Sequence, residues 1–288
     1  RYINKKTAGD IDLKTPLSEI GSIGVFTEDL RNDLKTNKCD LAVHSWKDLP
    51  LDLGSDTILA GTLKRADQRD ILFVKKKSQE RIGKTKNIKI LSSSPRRIYN
   101  LDSFIKNYLP FNIEKIEFEN IRGNIPSRFK KFLAGDGDGL VMAKAAVDRL
   151  LNNPIEEFDY ISEIMRENIA KCFWTITPLS QNPTSPAQGA IGIEVLIKNN
   201  ELIEMIKRIS DQETLACVNH ERKILKNYGG GCHQKIGVSY FVTHFGLMKA
   251  KKGETDDGIK FYEWEKNYLR RNLDKKVAED QIYPSSLK

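Results

Sequence analysis

Several signatures that mark whole classes of protein are missing from this chain of 288 residues. No apolar run of about 18 residues occurs, so no segment reads as a membrane-spanning helix and no membrane partner is expected. The opening residues, Arg1-Tyr2-Ile3-Asn4-Lys5-Lys6, have no apolar core and do not read as a signal peptide. The chain does not begin with Met, and it reads as a fragment of a longer product. It has 4 cysteines, Cys39, Cys172, Cys217 and Cys232, with no C-x-x-C pair among them, and 4 scattered histidines. That argues against a zinc site and for a reducing compartment; no metal is expected. There is no P-loop, no G-x-G-x-x-G, no Ser-His-Asp order, no internal repeat and no low-complexity linker.

What is present suits a folded, soluble protein of two or three domains, with 39% hydrophobic residues and a net charge of +8. The charge favours an anionic partner. Nucleic acid is not expected, because no basic patch interleaved with aromatics appears. Lysine runs such as Lys75-Lys76-Lys77 read as solvated surface.

Strand and helix signals alternate. A helix with Thr27 as N-cap is predicted to about Lys38, then strands over residues 40–43, 57–63, 71–74 and 86–91. Ser94 as N-cap with Pro95 at the first helical position predicts a helix to about Tyr108. A strand at 111–117, a helix bearing Arg128, a strand at 139–142, a helix bearing Arg149 and a strand at 190–196 follow. Ser210-x-x-Glu213 reads as a capping box opening a helix to Tyr228. Strands at 235–249 and 258–265 complete a small terminal module. The alternation predicts α/β domains with largely parallel sheets, whose ligands bind at strand carboxyl ends beside helix N-termini.

The marked residues fall at such ends. Arg96 and Arg97 sit in the first turn of a predicted helix, where the macrodipole disfavours cations, and Arg122 and Arg128 repeat the pattern. Each pair also reads as solvated arginines; two such junctions together favour a carboxylate or phosphate site. Asp48 follows a strand within His44-Ser45-Trp46-Lys47-Asp48-Leu49-Pro50. It reads either as a loop salt bridge with Lys47 or as an acid that stabilises a developing cation. In Gly229-Gly230-Gly231-Cys232, three glycines end a helix and leave one thiol unscreened: a common helix stop, or the display of a sulfur as an attachment point.

With Ser93-Ser94-Pro95-Arg96-Arg97, Arg122-Gly123-Asn124, Pro186-Ala187-Gln188-Gly189-Ala190 and Gly230-Gly231-Cys232 following the His44–Pro50 segment in order, the chain resembles the porphobilinogen deaminases from about Thr7 to Gly237. The resemblance implies a transferase of tetrapyrrole (heme) biosynthesis that joins four porphobilinogen molecules head to tail, releases ammonia, and finally frees hydroxymethylbilane. The primer would be a dipyrromethane cofactor in thioether linkage to Cys232, a reaction suited to a thiolate. Asp48 would be the catalytic residue, steadying positive charge as ammonia leaves. Lys47, Ser45, Ser93, Ser94, Arg96 and Arg97 would bind the cofactor with Asp48. Arg122, Arg128, Arg149 and Gln188 would bind substrate acid groups, since every pyrrole carries two carboxylates.

The implied fold has two periplasmic-binding-protein-like α/β domains flanking a cleft, at 1–63 with 188–208 and at 68–183, plus an α+β domain at 212–288 carrying the cofactor cysteine. A monomer is expected, in cytoplasm or plastid. The family's first strand and loop, which hold an arginine and a serine, would precede this chain, leaving the first domain incomplete at its N-terminus; on its own such a chain is expected to fold weakly and turn over little. Departures from the family pattern are Ala8, Ile23, Ala187 where glycine is common, and Lys235 where proline is common. A non-catalytic carboxylate-binding module of the periplasmic type is the alternative reading.

Overall fold

In a computed structural model, residues 27–230, 234–243 and 246–268 are described. Cys232, Ala8 and Ile23 therefore lie outside the described residues.

The described chain forms an α/β structure around three sheets. The first has the order β1-β8-β2, from β1 (Leu41–Ser45), β2 (Thr57–Thr62) and β8 (Ile191–Leu196). Helix α1 (Glu28–Lys35) contacts it, and α7 (Asn200–Ile209) packs Ile206 against Ala60, Ile193 and Val195.

The second sheet has the order β5-β4-β6-β3-β7. Its strands are β3 (Asp70–Lys75), β4 (Asn87–Leu91), β5 (Lys115–Glu119), β6 (Gly139–Ala143) and β7 (Cys172–Ile176). Every residue of β3 is buried. Because side chains alternate along a strand, Phe73 enters the core with Phe129, Phe132 and Met165, while Leu72 and Val74 enter the opposite one with Leu101, Phe104 and Ile105. The helices are thus split between the faces: α2 (Gln79–Thr85) and α3 (Pro95–Tyr108) on one, α4 (Ile125–Ala134), α5 (Lys144–Leu151) and α6 (Asp159–Ala170) on the other.

The third sheet is an antiparallel meander of β9 (Gly237–Thr243), β10 (Gly246–Glu254) and β11 (Lys260–Tyr268), with α8 (Gln212–Asn227) against β9. Lys252 on β10 donates to the carbonyls of Asn100 and Gln181 and to Ser103 Oγ, fastening the meander to α3. On α8, Arg222 donates to the carbonyls of Trp46, Leu49 and Pro50, fastening the same module to the loop after β1.

The sheets are less parallel than the alternation predicts. Among the described residues only the β4–β5 and β4–β6 pairs are parallel; β3 runs antiparallel to β6 and β7, and β8 antiparallel to β1 and β2. The antiparallel strands β3, β7 and β8 adjoin the connections between the sheets, so their direction is set by where the chain enters and leaves. The strand predicted at 111–117 begins at Lys115, because Ile113 instead leaves the sheet edge to fill the core beneath α3. The helix at 212 is capped by Asp211, whose side chain accepts from Thr214 N; Ser210 Oγ instead accepts from Thr62 N. The predicted 235–249 strand is two, β9 and β10, paired as a hairpin. Ser94 does cap α3, its Oγ accepting from Arg97 N at 3.4 Å, with Pro95 at the start.

Candidate active site at the junction of the sheets

Three loops at strand carboxyl ends build the site. After β1, a single 3₁₀ turn over Trp46–Asp48 buries Trp46 in a core with Leu49, Ala190 and Val218, which fixes the loop and leaves Lys47 and Asp48 facing inward but partly open to solvent. Ser45 donates to Asp48, and His44 lies near enough for its charge to act on that carboxyl. Burial raises the proton affinity of Asp48, opposed by Lys47, the Ser45 hydrogen bond and His44. Burial lowers the pKa of Lys47; Asp48 and Asp70 oppose that, while Arg97 and Arg96 add to it. Lys47, in the turn after β1 of the first sheet, is therefore close to the arginines that begin α3 after β4 of the second.

After β4, Ser92–Ser94 lead into α3. Ser93 Oγ donates to Ile121 O and accepts from Ile121 N, both at 2.8 Å, so its hydroxyl clasps the loop that precedes Arg122. Arg96 and Arg97 are buried and share the carboxylate of Asp70, at 2.9 and 2.8 Å. Arg96 is committed further, giving Nη1 to Asn182 Oδ1 and Pro183 O at 3.0 Å. Arg97 gives Nη2 to Asp70, and its buried Nε has no hydrogen-bond partner. Burial pushes Asp70 up, but Arg97, Arg96 and the hydrogen bonds outweigh it and hold the carboxyl far below the usual carboxylate range.

After β5, Asn124 caps α4 through Ser127 N, and Arg128 Nε donates to Gly123 O at 2.6 Å. Burial, then Arg97 and Arg122, push the Arg128 pKa down to about 10. The guanidiniums of Arg97, Arg122 and Arg128 therefore lie close enough for their charges to act on one another in a partly buried place.

The structure thus brings together Asp48, Ser45, Lys47, Arg96, Arg97, Arg122 and Arg128 with the loop serines. Arg149 stands apart, exposed in the last turn of α5. Gln188 is buried, its amide donating to Asp70 Oδ1 and Gln68 O. The glycine run is described as far as Gly230; Gly229 and Gly230 have φ of 87° and 66°. A β-carbon on Gly230 would overlap Leu51, so this stretch lies against the segment just after Asp48. Ala187, where glycine is common, adopts φ 66°. Of the other thiols, burial pushes Cys172 up to about 11 and Cys217 up to about 12. A hollow of about 470 Å³ lies elsewhere, among Arg65, Gln68, Leu179, Cys217, Phe241 and Trp264; none of the expected site residues lines it.

Two residues of this neighbourhood escape sequence reasoning. Asp70 opens a strand that continues as Ile71-Leu72-Phe73-Val74, and an acid heading so apolar a run is the signal that marks it. Arg222, which holds the Asp48 loop from α8, carries no local sequence signal, being one cation on a polar helix.

Fold and site together define an α/β protein with a cluster of basic side chains at strand carboxyl ends. The family model described as porphobilinogen deaminase, dipyrromethane cofactor binding domain, matches residues 1–204. A porphobilinogen deaminase of Chlorobaculum parvum is 35% identical over 232 residues, covering 81% of this chain and 66% of its own. One from Chloroherpeton thalassium is 34% identical over 255 residues, covering 86% and 73%. The chain belongs to the porphobilinogen deaminase family, and it spans about two thirds of the length of curated relatives such as the first. A solved arginine-transport periplasmic binding protein of Legionella pneumophila aligns with 70% of this chain and 76% of its own at 14% identity and a TM-score of 0.30, too low to bear on the fold.

Proposed function

We propose that the chain is the catalytic part of a hydroxymethylbilane synthase, adding porphobilinogen units head to tail with loss of ammonia. The observation that carries this reading is the buried Nε of Arg97, without a hydrogen-bond partner and beside the half-buried Arg128, near the half-buried Lys47 that adjoins Asp48. A chain of pyrroles, each with two carboxylates, supplies the acceptors these donors call for. The cofactor fits these residues on the same ground: the orphaned Nε of Arg97 calls for an acid group, and one beside Arg128 would relieve the burial and like charges that lower its pKa.

Lys47, Arg97 and the loop serines would hold the dipyrromethane, attached through Cys232, and Arg97 with Arg122 and Arg128 the acid groups of the incoming unit; Arg149, which stands apart, and Arg96 and Gln188, whose donors are taken up by Asp70 and its neighbours, would not touch them. When bound, that group supplies the pyrrole carbon to which units are added. Asp48 would orient pyrrole N–H groups and stabilise positive charge as the amine departs. A carboxylate in a crowded, partly dry position does so more strongly than one in water. We divide the chain into a first domain of 1–63 with 188–208, a second of 68–183 and a third of 212–288, acting as a monomer in a reducing cytoplasm or plastid. The similarity of the chain to named deaminases over most of its length supports the same reading.

Intact mass tests it directly. Protein purified from cells that make the cofactor should exceed its chain mass by one dipyrromethane unit, give a pink Ehrlich reaction, and consume porphobilinogen. A chain of unmodified mass that nonetheless turns over porphobilinogen would refute the assignment of Cys232. A chain that binds porphobilinogen without consuming it would leave only the binding-module reading.

A further inference from the structure

Asp70 has no part in the chemistry just described, yet its carboxylate is the most heavily engaged group near the site. It is wholly buried. Oδ2 accepts from Arg96 Nη2 at 2.9 Å and Asn182 Nδ2 at 3.0 Å; Oδ1 accepts from Arg97 Nη2 and Gln188 Nε2, both at 2.8 Å. Its backbone carbonyl accepts from Thr177 N at 2.9 Å. Three parts of the chain meet here. Arg96 and Arg97 begin α3; Thr177, Asn182 and Gln188 lie on the segment that returns from β7 to β8; and Asp70 itself ends the segment that leaves β2 for β3. The two segments joining the first sheet to the second therefore meet the arginine helix at one carboxylate.

We propose that Asp70 is a positioning residue, which fixes the guanidinium of Arg97 in its orientation for a substrate carboxylate and ties that orientation to the two connecting segments. The identity of the carboxylate as porphobilinogen's rests on the function proposed above. The division of contacts carries the argument. Arg96 is consumed by Asp70, Asn182 and Pro183, so it anchors the carboxylate to the return segment. Arg97 spends only Nη2 on Asp70 and keeps a buried Nε without a partner, so it has donors left for a ligand. A guanidinium is planar, and one nitrogen held on a fixed carboxylate sets the plane of the rest. Any change in the angle between the sheets moves Asn182 and Gln188, hence Asp70, hence Arg97.

Charge and orientation predict opposite results for Asp70→Asn. Losing a negative charge beside the arginines would by itself draw an anion in more strongly. Losing orientation weakens binding, and about a 10-fold rise in KM for porphobilinogen is expected, the effect of one charge-assisted hydrogen bond. Asn182→Ala changes no charge and removes no contact to Arg97, and keeps the test decisive if Asp70→Asn does not fold. It should raise KM about 3-fold or more with little change in kcat, the pattern of lost ground-state binding. Independently of turnover, the Nε–H of Arg97, assigned with Arg97→Lys and followed by proton–nitrogen NMR, should exchange with water several-fold faster in Asn182→Ala than in wild type. An unchanged Arg97 signal in Asn182→Ala, or a KM in a folded Asp70→Asn that is equal to or below wild type, overturns the proposal. Wild-type protein that consumes no porphobilinogen would defeat the function proposed above, while the NMR comparison would still decide the role of Asp70.

Discussion

Replacing Glu221 with Ala should cost more stability than any other single truncation on α8. Glu221 is wholly buried and accepts four hydrogen bonds: from Arg65 Nη1 at 2.7 Å and Nη2 at 2.9 Å, from Ala187 N at 2.8 Å and from Tyr240 N at 2.7 Å. One side chain so joins α8, the segment leaving β2, the loop before β8 and β9. Truncation strands the Arg65 guanidinium, whose side chain is only 10% exposed, at a cost of about 3–5 kcal/mol. It also strips two backbone N–H groups, at about 1–3 kcal/mol each where water cannot reach them. The hollow beside Arg65 admits water and lowers the sum, so a loss of about 4 kcal/mol is expected. For a chain of this size that is a fall in Tm of about 8–16 °C. Urea unfolding of the single variants and of Arg65→Ala/Glu221→Ala gives the check. The double variant should be more stable than the sum of the singles by more than about 1 kcal/mol, because the second change removes the charge the first one strands. Additive losses, or a Glu221→Ala cost below about 1 kcal/mol, would refute the reasoning.

Asp48→Asn should nearly abolish turnover while leaving the protein folded. Because the folded pKa of Asp48 is raised, its contribution to stability is present below the ordinary carboxylate range and lost as pH rises through the raised value, so the variant should equal or exceed wild type in Tm at pH 7 and lose that advantage in acid. Full activity in Asp48→Asn sinks the assigned role. Arg128→Gln should raise KM for porphobilinogen yet not lower Tm, since burial and two like charges already oppose this cation; a clear drop in Tm would show that Arg128 is a structural residue. Iodoacetamide at pH 8 should spare Cys172 and Cys217 in the native chain, their thiols being held at about 11 and about 12, and cofactor-loaded protein should protect Cys232 as well. Rapid alkylation of Cys217 without unfolding would contradict its burial.

Much of the cluster of basic side chains can be read in the sequence because its parts are local. Ser94 and Pro95 cap a helix within four residues of both arginines, and the glycines at 229 and 230 take the left-handed backbone their type suggests. What cannot be read are partners set by tertiary contact. The pairing of Asp70 with Arg96 and Arg97 spans 26 and 27 residues, and that of Arg65 with Glu221 spans 156. The same limit explains the sheet directions, since an alternating pattern does not say where a strand enters. Asp211 displaces Ser210 as the cap of α8 because the Ser210 hydroxyl is taken by Thr62 from another element. Short elements such as α2 and β7, the second half-exposed at the sheet edge, have too little pattern to announce themselves.

The meander's double attachment has a mechanical meaning. Lys252 grips three acceptors around α3 while Arg222 grips three carbonyls around the Asp48 loop, and both belong to one compact module. That module is a strut between the first and second sheets, and the Asp48 loop cannot draw away from α3 without one grip slipping. If the chain adds pyrrole units as proposed, room for a longer product has to come from the two sheets sliding past each other, or from the strut swinging with one of them.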